Sequence, residues 1–429
     1  MAVSEQPRGP KLTSWLGEKL FQNYVWRSIF RSGYPNTPRN QMLVVATNVF
    51  LHLHPTRLHK THVKITHTYC LGGITFFFFL GLTVTGVMLM FYYVPAPDRA
   101  FADIQALETN VRFGSLMRNL HRWMAHGMVI SVFLHMMRVF YTGAYKPPRE
   151  FNWVVGVILL TLTLALSFTG YLLPWDQLAF WAITVGSNIA GYAPALGDQL
   201  KYLLLGGNVI GEGTVLRFYV LHCVILPSAA ILLVAVHVYR IRKDGLSAPT
   251  EPAPPVTEEL TPGRFPASTK SYGLMALTDR PSQAVVESDP DDDVMSWPHL
   301  LYRELLVALA VLVALHVVSL LFNAPLEEIA DPTRTPNPAK APWYFLGLQE
   351  LVHYSAFVGG VLVPTLLVLV LVALPYVDAT PRGIGVWFAR ERRWANLIFA
   401  VLAVLAVLLT LIGTFFRGPN WGWVWPWVS

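Results

Sequence analysis

The chain has 429 residues, of which 54% are hydrophobic and only 14% are charged, and its mean hydropathy is +0.44. Soluble domains carry about 25% charged residues, so this composition excludes an ordinary soluble protein and indicates a multi-span membrane protein. The net charge of +6 could suggest a nucleic-acid partner. However, Lys and Arg cluster in loops beside apolar segments, which is the positive-inside bias of membrane proteins, so we expect no nucleic-acid partner.

The chain begins with a basic region, residues 1–60. Its segment KLTSWLGEKLFQNYVWRSIFRSG (11–33) has no continuous apolar core and therefore does not match a cleavable signal peptide. The segment is amphipathic and basic, which predicts an interfacial helix lying on the membrane surface.

Seven apolar segments follow that are long enough to cross a membrane, which requires about 20 residues each. We name them spans A to G. They lie near residues 69–93, 120–141, 152–173, 217–240, 299–323, 346–376 and 395–416. The predicted fold class is therefore an all-α membrane protein with seven spans.

The links divide the spans into two units. A four-helix unit covers residues 61–243, and a three-helix unit covers residues 298–429. The link between them, 244–297, contains SAPTEPAPPVTEELTPGRFP and ESDPDDDV, a Pro-rich and acidic composition typical of an exposed linker. The C–D link begins with LPWDQLAFWAI and is too aromatic to be a plain tether.

The basic residues predict the orientation. They concentrate in the N-terminal region, in the B–C link (YKPPRE), at the start of the D–E link (RIRKDG) and in the F–G link (RGIGVWFARERR). Seven spans then place the N-terminus and these links in the cytoplasm and the Trp-rich C-terminus outside.

Spans B and D each carry two histidines. His121 and His135 are 14 residues apart, and His222 and His237 are 15 apart. On an α-helix these steps turn the pairs by about −40° and about +60° and separate them by about 21 and 22 Å. Each span thus presents two histidines on roughly one face, one near each membrane surface. Because B and D run in the same direction, the histidines pair by depth.

These pairs, His121 with His222 and His135 with His237, predict two haem sites. A single histidine on an apolar helix is more often a buried hydrogen-bonding residue than a metal ligand. Two matched pairs favour ligands, because ionisable groups inside a membrane are costly and usually functional. Two neutral imidazoles complete a low-spin b-type haem suited to electron transfer.

Glycines and arginines support the same interpretation. Two glycines in span A and two in span C repeat the 14-residue step of span B: Gly72, Gly86, Gly156 and Gly170. Small residues also serve ordinary helix packing, but this step predicts flat porphyrins against spans A and C. The arginines beside the histidines either pair with haem propionates or extend to the interface: Arg118, Arg122 and Arg138.

From about residue 60 to 415, the sequence resembles cytochrome b of the quinol-oxidising cytochrome bc complexes. The resemblance rests on the histidines and glycines above, on GYLLPWDQLAFWA (170–182) and on APWYFLGLQE (341–350). Seven spans, the 15-residue step in span D, and the segments YCLGGITF and RFYVLHCVILP are similar to the chloroplast-type bf branch. There the two units are separate polypeptides, whereas here they are fused through the linker.

The resemblance implies further cofactor contacts. Cys70, in YCLGG, would anchor a third, covalently attached haem beside the inner pair of histidines, although a lone cysteine is usually a small buried hydrophobe. A single thioether also lacks the C-x-x-C-H signature. Arg242 would lie near that haem and the cytoplasmic quinone pocket. Cys223 is expected to be a core residue.

The resemblance also implies a quinol oxidation site between the C–D and E–F links. Its hallmark is Pro-Glu-Trp-Tyr, in which the glutamate accepts a quinol proton, but here the sequence is Ala341-Pro342-Trp343-Tyr344. Some other base must therefore serve. Glu350 is the first candidate, although a carboxylate at a helix start also has a structural explanation. Asp176 and Tyr344 are weaker candidates, and His353 lies nearby. The altered motif resembles those of menaquinol-using bacterial relatives, which implies menaquinol as the substrate and a bacterial inner membrane as the location.

The implied activity is electron transfer from quinol, with protons released outside and taken up inside. One electron passes to a Rieske iron–sulfur protein and then to a cytochrome c, and the second crosses the two b haems to a cytoplasmic quinone. The chain has neither Rieske-type ligand pairs nor C-x-x-C-H, so both proteins are expected as partners. A homodimer of the complex is expected from the family.

Two other functions remain open. A di-haem membrane anchor of a dehydrogenase, hydrogenase or nitrate reductase would also use histidine pairs, but would not need PWDQ and PWY together. A haem-free transporter would place its ionisable residues at one midplane site, whereas these histidines occupy two depths.

Overall fold

The computed structural model describes residues 23–29, 35, 37–48, 51–247 and 293–427. Across these residues it has seven helices long and apolar enough to cross a membrane, which confirms the predicted all-α class. In chain order, spans A to G are Leu71–Met90, Gly114–Tyr141, Glu150–Tyr171, Glu212–Asp244, Ser296–Leu321, Val358–Val377 and Arg390–Phe415.

Shorter elements connect the spans. Helix Ala100–Asn110 lies in the A–B link, helices Gln177–Gly191 and Gly197–Leu205 lie in the C–D link, and helix Trp343–Tyr354 precedes span F. Before span A, helices Tyr24–Ile29, Pro38–Thr47, Lys60–Val63 and Ile65–Thr68 are present. Strand β1 (Arg57–His59) pairs antiparallel with β2 (Asp293–Met295), with Leu58 opposite Val294.

Span F is shorter than the sequence predicts. The apolar run 346–376 is interrupted at Ser355, whose backbone is extended (φ −160°, ψ 119°). The Ser355 hydroxyl accepts a hydrogen bond from the Val358 backbone N–H at 3.2 Å and so caps the new helix. Hydropathy alone could not detect this break, because apolar residues continue on both sides of one small polar residue.

Two predicted segments lie largely outside the described residues. Of the amphipathic N-terminal segment, only helix Tyr24–Ile29 is described. Of the predicted linker, the described parts are the end of span D with residues 245–247 and the residues from 293 onward.

The two units pack directly against each other. Span A packs on B and span C packs on D, while B contacts E and C contacts F. We call the end of the bundle with the C–D and E–F links the outer end, and the opposite end the inner end, following the predicted orientation.

An aromatic cluster joins the units near the inner end. Phe140 of span B stacks on Phe399 of span G, with ring centroids 4.0 Å apart. Trp153 of span C donates from Nε1 to the Leu371 carbonyl of span F at 2.6 Å. Buried aromatic contacts of this kind fix the relative position of neighbouring helices, which in turn holds the histidine-bearing spans in place.

The C–D and E–F links are joined at the outer end. The Gln177 N–H donates to the Glu328 carbonyl at 2.8 Å, and Asp176 forms an isolated β-bridge with Ile329. The Asp176 side chain also caps helix Gln177–Gly191 by accepting from the Ala179 N–H at 2.9 Å. These bonds explain why the aromatic C–D link is an ordered structure.

Candidate functional site

The four histidines of spans B and D form two pairs, as the sequence predicts. The ring centroids of His121 and His222 are 6.3 Å apart, and those of His135 and His237 are 6.4 Å apart. In both pairs the ring planes are inclined at 80°. Metal–nitrogen bonds of about 2 Å on each side require ring centroids about 6 Å apart. Both pairs therefore have the spacing for one metal ion between two imidazoles.

A π-helical turn explains the unequal spacing of the histidines. Residues Leu221–Ile225 of span D form this turn, which includes His222. Pro227 follows it and has no N–H to donate to the preceding turn. A π turn accommodates one residue more than an α turn. The 15-residue step in span D thus matches the 14-residue step in span B, so the two pairs have nearly the same geometry.

Each histidine ring lies against one of the predicted glycines. A Cβ atom added at Gly86 would lie 3.2 Å from Cε1 of His121, and one at Gly72 would lie 3.3 Å from Cε1 of His135. In span C, Gly156 faces His237 and Gly170 faces His222. The sequence analysis placed porphyrins against these glycines. The structure places imidazole rings there, so the immediate effect of the missing side chains is to seat the ligands.

Two threonines that sequence reasoning missed orient the outer histidines. Thr85 Oγ1 lies 2.9 Å from Nδ1 of His121, and its own proton is donated to the Gly81 carbonyl at 2.7 Å. The hydroxyl must therefore accept from the imidazole Nδ1–H, which leaves Nε2 free to bind a metal. Thr169 does the same for His222 at 3.1 Å while donating to the Ala165 carbonyl. The sequence signal was the repeated Thr-Gly dipeptide in spans A and C.

An apolar cavity opens at the level of the outer histidines. It is lined by residues of spans A to D, including His121, His222, Gly86 and Phe79. Cys223 also lines it, so this cysteine is a cavity-facing apolar residue rather than one packed in a closed core. The Thr83, Thr163 and Ser167 hydroxyls of the lining donate to carbonyls of their own helices. A flat apolar ring with the metal at its centre fits this chemistry, because the walls are mainly hydrocarbon and the two histidines offer metal-binding nitrogens.

A second, polar pocket lies at the outer end between the two joined links. Its walls come from spans B and C and from both links: Arg122, Tyr171, Pro174, Asp176, Leu178, Pro325, Glu327, Lys340, Ala341 and Pro342. The structure thus brings the PWDQ and APWY segments to one place, although they are more than 160 residues apart in the sequence.

Comparison with known proteins shows the family. The family model "Cytochrome b/b6/petB" matches residues 57–245, and "Cytochrome b(C-terminal)/b6/petD" matches residues 329–425. The cytochrome b6 of Heliomicrobium gestii is 46% identical over 196 residues, which are 46% of this chain and 90% of that protein. The chain belongs to the cytochrome b/b6 family.

Two further similarities concern a bacterial relative and a solved structure. The menaquinol:cytochrome c reductase cytochrome b subunit of Bacillus subtilis is 38% identical over 240 residues, covering 56% of this chain and 98% of that protein. A structure titled "Hyperthermophilic respiratory Complex III" superposes with a TM-score of 0.69 over 92% of this chain and 91% of that chain, at 24% identity, which shows the fold. Both family models match within one chain, so this cytochrome b is of the fused type, as the sequence predicts.

The arginines near the histidines differ in their contacts. Arg118 donates to the Ala324 and Pro325 carbonyls and pairs with Glu108, so it binds the E–F link. Arg138 is buried and donates from Nε to the His67 carbonyl at 3.2 Å. Its Nη2 has no hydrogen-bond partner among the described residues, and a buried guanidinium nitrogen of this kind requires an acceptor. Arg138 therefore has a free donor for an anionic group near the inner histidines.

The remaining two arginines have separate surroundings. Arg122 lines the outer pocket, where its Nε lies 3.0 Å from Nε2 of His126 and its guanidinium lies over the Tyr171 ring. Arg242, in the last turn of span D at its inner end, donates to the His52 carbonyl at 2.6 Å.

Cys70 lies at the inner end of span A. It has a left-handed backbone (φ +52°) and precedes the helix that carries Gly72, the glycine facing His135. Burial raises the pKa of the Cys70 thiol, and nearby Glu304 acts in the same direction. The thiol is half-buried, and Cys70 lies two residues before the glycine that faces His135.

The base candidates have unequal access to the outer pocket. Glu350 is 1% exposed and does not line it; both carboxylate oxygens accept hydrogen bonds from Arg417, and Trp421 Nε1 donates to Oε2 at 2.9 Å. Burial opposes ionisation, but these bonds outweigh it and lower the pKa of Glu350. Glu350 therefore forms a structural ion pair, and the structure does not support its expected role as quinol base.

The other residues of the altered motif surround His126. Trp343 donates from Nε1 to Nδ1 of His126 at 2.9 Å, and the Tyr344 ring lies edge-on to the same histidine. Burial raises the pKa of the Tyr344 hydroxyl, so this phenol is a poor proton acceptor. His353 contacts the Trp421 ring, outside the pocket. His126 was not singled out in the sequence.

Proposed function

We propose that this chain is the cytochrome b subunit of a proton-translocating quinol:cytochrome c oxidoreductase. The observation that supports it is the combination of two stacked histidine pairs with a polar pocket above them, formed by the PWDQ and APWY segments. A di-haem anchor accounts for the pairs but gives no reason for the pocket.

Each histidine pair would hold one b-type haem through Nε2, and such a haem supplies one-electron transfer. Thr85 and Thr169 fix the tautomer of the outer pair, and the glycines leave room for the rings. Arg138 offers its free Nη2 to an inner haem propionate. Cys70 is the proposed attachment point of a third haem beside the inner pair.

The outer pocket would bind quinol. Its mixed lining suits a planar ring with two hydroxyl groups, because apolar prolines flank polar and charged side chains. Oxidation there would deliver one electron to the Rieske iron–sulfur protein and the other to the outer b haem. The protons would be released to the outside. A second quinone site at the inner end would take up protons from the cytoplasm. The altered motif and the name of the Bacillus subtilis relative support menaquinol as the substrate.

The proposed partners are a Rieske iron–sulfur protein and a cytochrome c, in a homodimeric complex of the bacterial inner membrane with the N-terminus in the cytoplasm. The described residues contain no group of three or more His, Cys, Asp or Glu side chains that could hold a metal ion. The two cysteines of the chain also cannot supply an iron–sulfur cluster and a c-type haem.

Haem counting on the purified complex tests the proposal first. The subunit is separated, extracted with acidified acetone, and both fractions are examined as pyridine haemochromes. Two extractable b haems per chain support the histidine-pair assignment, and haem that stays on the polypeptide supports attachment at Cys70. A well-folded subunit without haem would disprove the proposed function. Reduction of the b haems by menadiol, a soluble menaquinol analogue, then tests the quinol site.

A further inference from the structure

Of the two carboxylates that line the outer pocket, one has no hydrogen-bond or ion-pair partner among the described residues. Quinol loses two protons on oxidation, so a quinol site needs a proton acceptor within hydrogen-bond reach. The family motif would supply a glutamate where this chain has Pro342. Because a proline side chain cannot accept a proton, the acceptor must come from another wall of the same pocket.

Asp176 lines the pocket but both of its carboxylate oxygens are occupied. Oδ1 accepts from the Ala179 N–H at 2.9 Å, and Oδ2 accepts from the Glu327 N–H at 3.2 Å. These bonds cap a helix and join the two links, and protonation of the carboxylate would weaken both. Asp176 is therefore a structural residue of the pocket wall.

Glu327 is placed differently. Its backbone is held by Asp176, so the residue has a defined position on the pocket wall. Its side chain is exposed, and no hydrogen bond or ion pair joins its carboxylate to any part of the chain that the structure describes. Both oxygens are thus available to a hydroxyl group in the pocket, and the outer solvent is in direct reach.

The other charged and titratable groups facing the pocket do not compete for this role. Lys340 donates from Nζ to the Thr414 carbonyl at 2.8 Å, Arg122 contacts His126, and both are cations. Tyr171 lies under the Arg122 guanidinium.

We propose that Glu327 is the proton acceptor for quinol oxidation in the outer pocket. The proposal rests on the proposed function. In the step assigned to it, the quinol O–H bond breaks, and the proton forms an O–H bond with a Glu327 carboxylate oxygen. The two electrons leave to the iron–sulfur partner and to the outer haem site, so Glu327 carries no electron. The protonated carboxyl then releases its proton to the outer solvent, and the proton of the second quinol O–H leaves by the same route.

The experiment compares Glu327→Gln with its neighbour variant Glu328→Gln in the purified complex. Glu328 is the matched control, because it is adjacent, exposed and paired with Arg334 away from the pocket lining. Menadiol oxidation is measured from pH 5 to pH 9, with haem content and the spectrum after dithionite reduction as checks on folding. General-base contributions are typically about 100-fold or more. We expect Glu327→Gln to lower the rate by about 10- to 100-fold, Glu327→Asp to recover part of it, and Glu328→Gln to leave it unchanged.

The outcomes separate this inference from the proposed function. If the unmodified complex oxidises menadiol and Glu327→Gln does so at the same rate over the whole pH range, Glu327 is not the acceptor and the proposed function stands. An equal loss in Glu328→Gln would also overturn the assignment. If the unmodified complex, with full haem content, fails to oxidise any quinol, both proposals fail together.

Discussion

The Thr85 hydroxyl accepts a hydrogen bond from the His121 imidazole, with 2.9 Å between Oγ1 and Nδ1. A hydrogen bond at Nδ1 increases the electron donation of an imidazole through Nε2. Thr169 repeats the arrangement at His222, so both outer ligands share this support. Such hydrogen bonds change the redox potential of a bound metal although they do not contact the metal itself.

We therefore expect Thr85→Val to keep the outer haem but to raise its midpoint potential. A hydrogen bond contributes about 0.5–1.5 kcal/mol, which corresponds to about 20–60 mV for a one-electron couple at about 59 mV per factor of ten. Redox titration of the purified complex at the b-haem absorption band measures this shift. Thr161→Val is the control, because its hydroxyl donates only to the Val157 carbonyl within span C. Equal potentials in Thr85→Val and the unmodified complex would refute the role of this bond.

The two glycines of span C predict opposite effects of the same substitution. An added Cβ at Gly170 would overlap the His222 ring, whereas at Gly156 it would lie 3.6 Å from Cε1 of His237, an ordinary contact distance. We expect Gly170→Ala to reduce the content of the outer haem strongly and Gly156→Ala to retain both haems. Haem per chain and the spectral difference between the two haems are measured. Loss of haem in both variants, or in neither, would show that the space beside the histidine ring does not differ in this way between Gly170 and Gly156.

Much of this architecture could be predicted because local patterns carry it. The apolar runs predicted all seven spans, and the matched histidine steps predicted the pairs that the structure brings together. The π turn at Leu221–Ile225 and the helix break at Ser355 were not predicted, since each is a backbone adjustment within an unbroken apolar run. The role of Glu350 could not be foreseen either, because its partner Arg417 is 67 residues away and no local pattern links them.

The two cysteines provide a matched pair for testing the third haem. Cys70 lies at the inner end of span A, and Cys223 lines the cavity at the outer histidines. If Cys70 carries a thioether-linked haem, Cys70→Ser should remove the haem that resists acidified acetone and leave two extractable haems. Cys223→Ser should keep all three. Haem staining of the denatured subunit measures this. Retention of bound haem in Cys70→Ser would remove Cys70 from the cofactor site.

The Glu350–Arg417 ion pair should stabilise the contact between helix Trp343–Tyr354 and the segment after span G. The two side chains are only 2% and 10% exposed, and breaking a buried pair by removing one charge typically costs about 3–5 kcal/mol. We expect Glu350→Gln to lower the thermal stability of the subunit clearly. By contrast, Glu328→Gln disrupts a pair exposed to 70% and 62%, and surface pairs contribute about 1 kcal/mol or less. Thermal unfolding of both variants in detergent measures the difference.

The same ion pair predicts a pH dependence. The pKa of folded Glu350 lies below its ordinary range, because the bonds from Arg417 and Trp421 outweigh the effect of burial. An unfolded glutamate has a pKa of about 4.3. The stabilisation is therefore fully present above about pH 4.3 and is lost as the pH falls through the lower folded-state value. Unfolding measured between pH 3 and pH 7 should show a loss of stability at the acid end that is reduced in Glu350→Gln. An identical acid profile in both proteins would show that Glu350 does not titrate with unfolding.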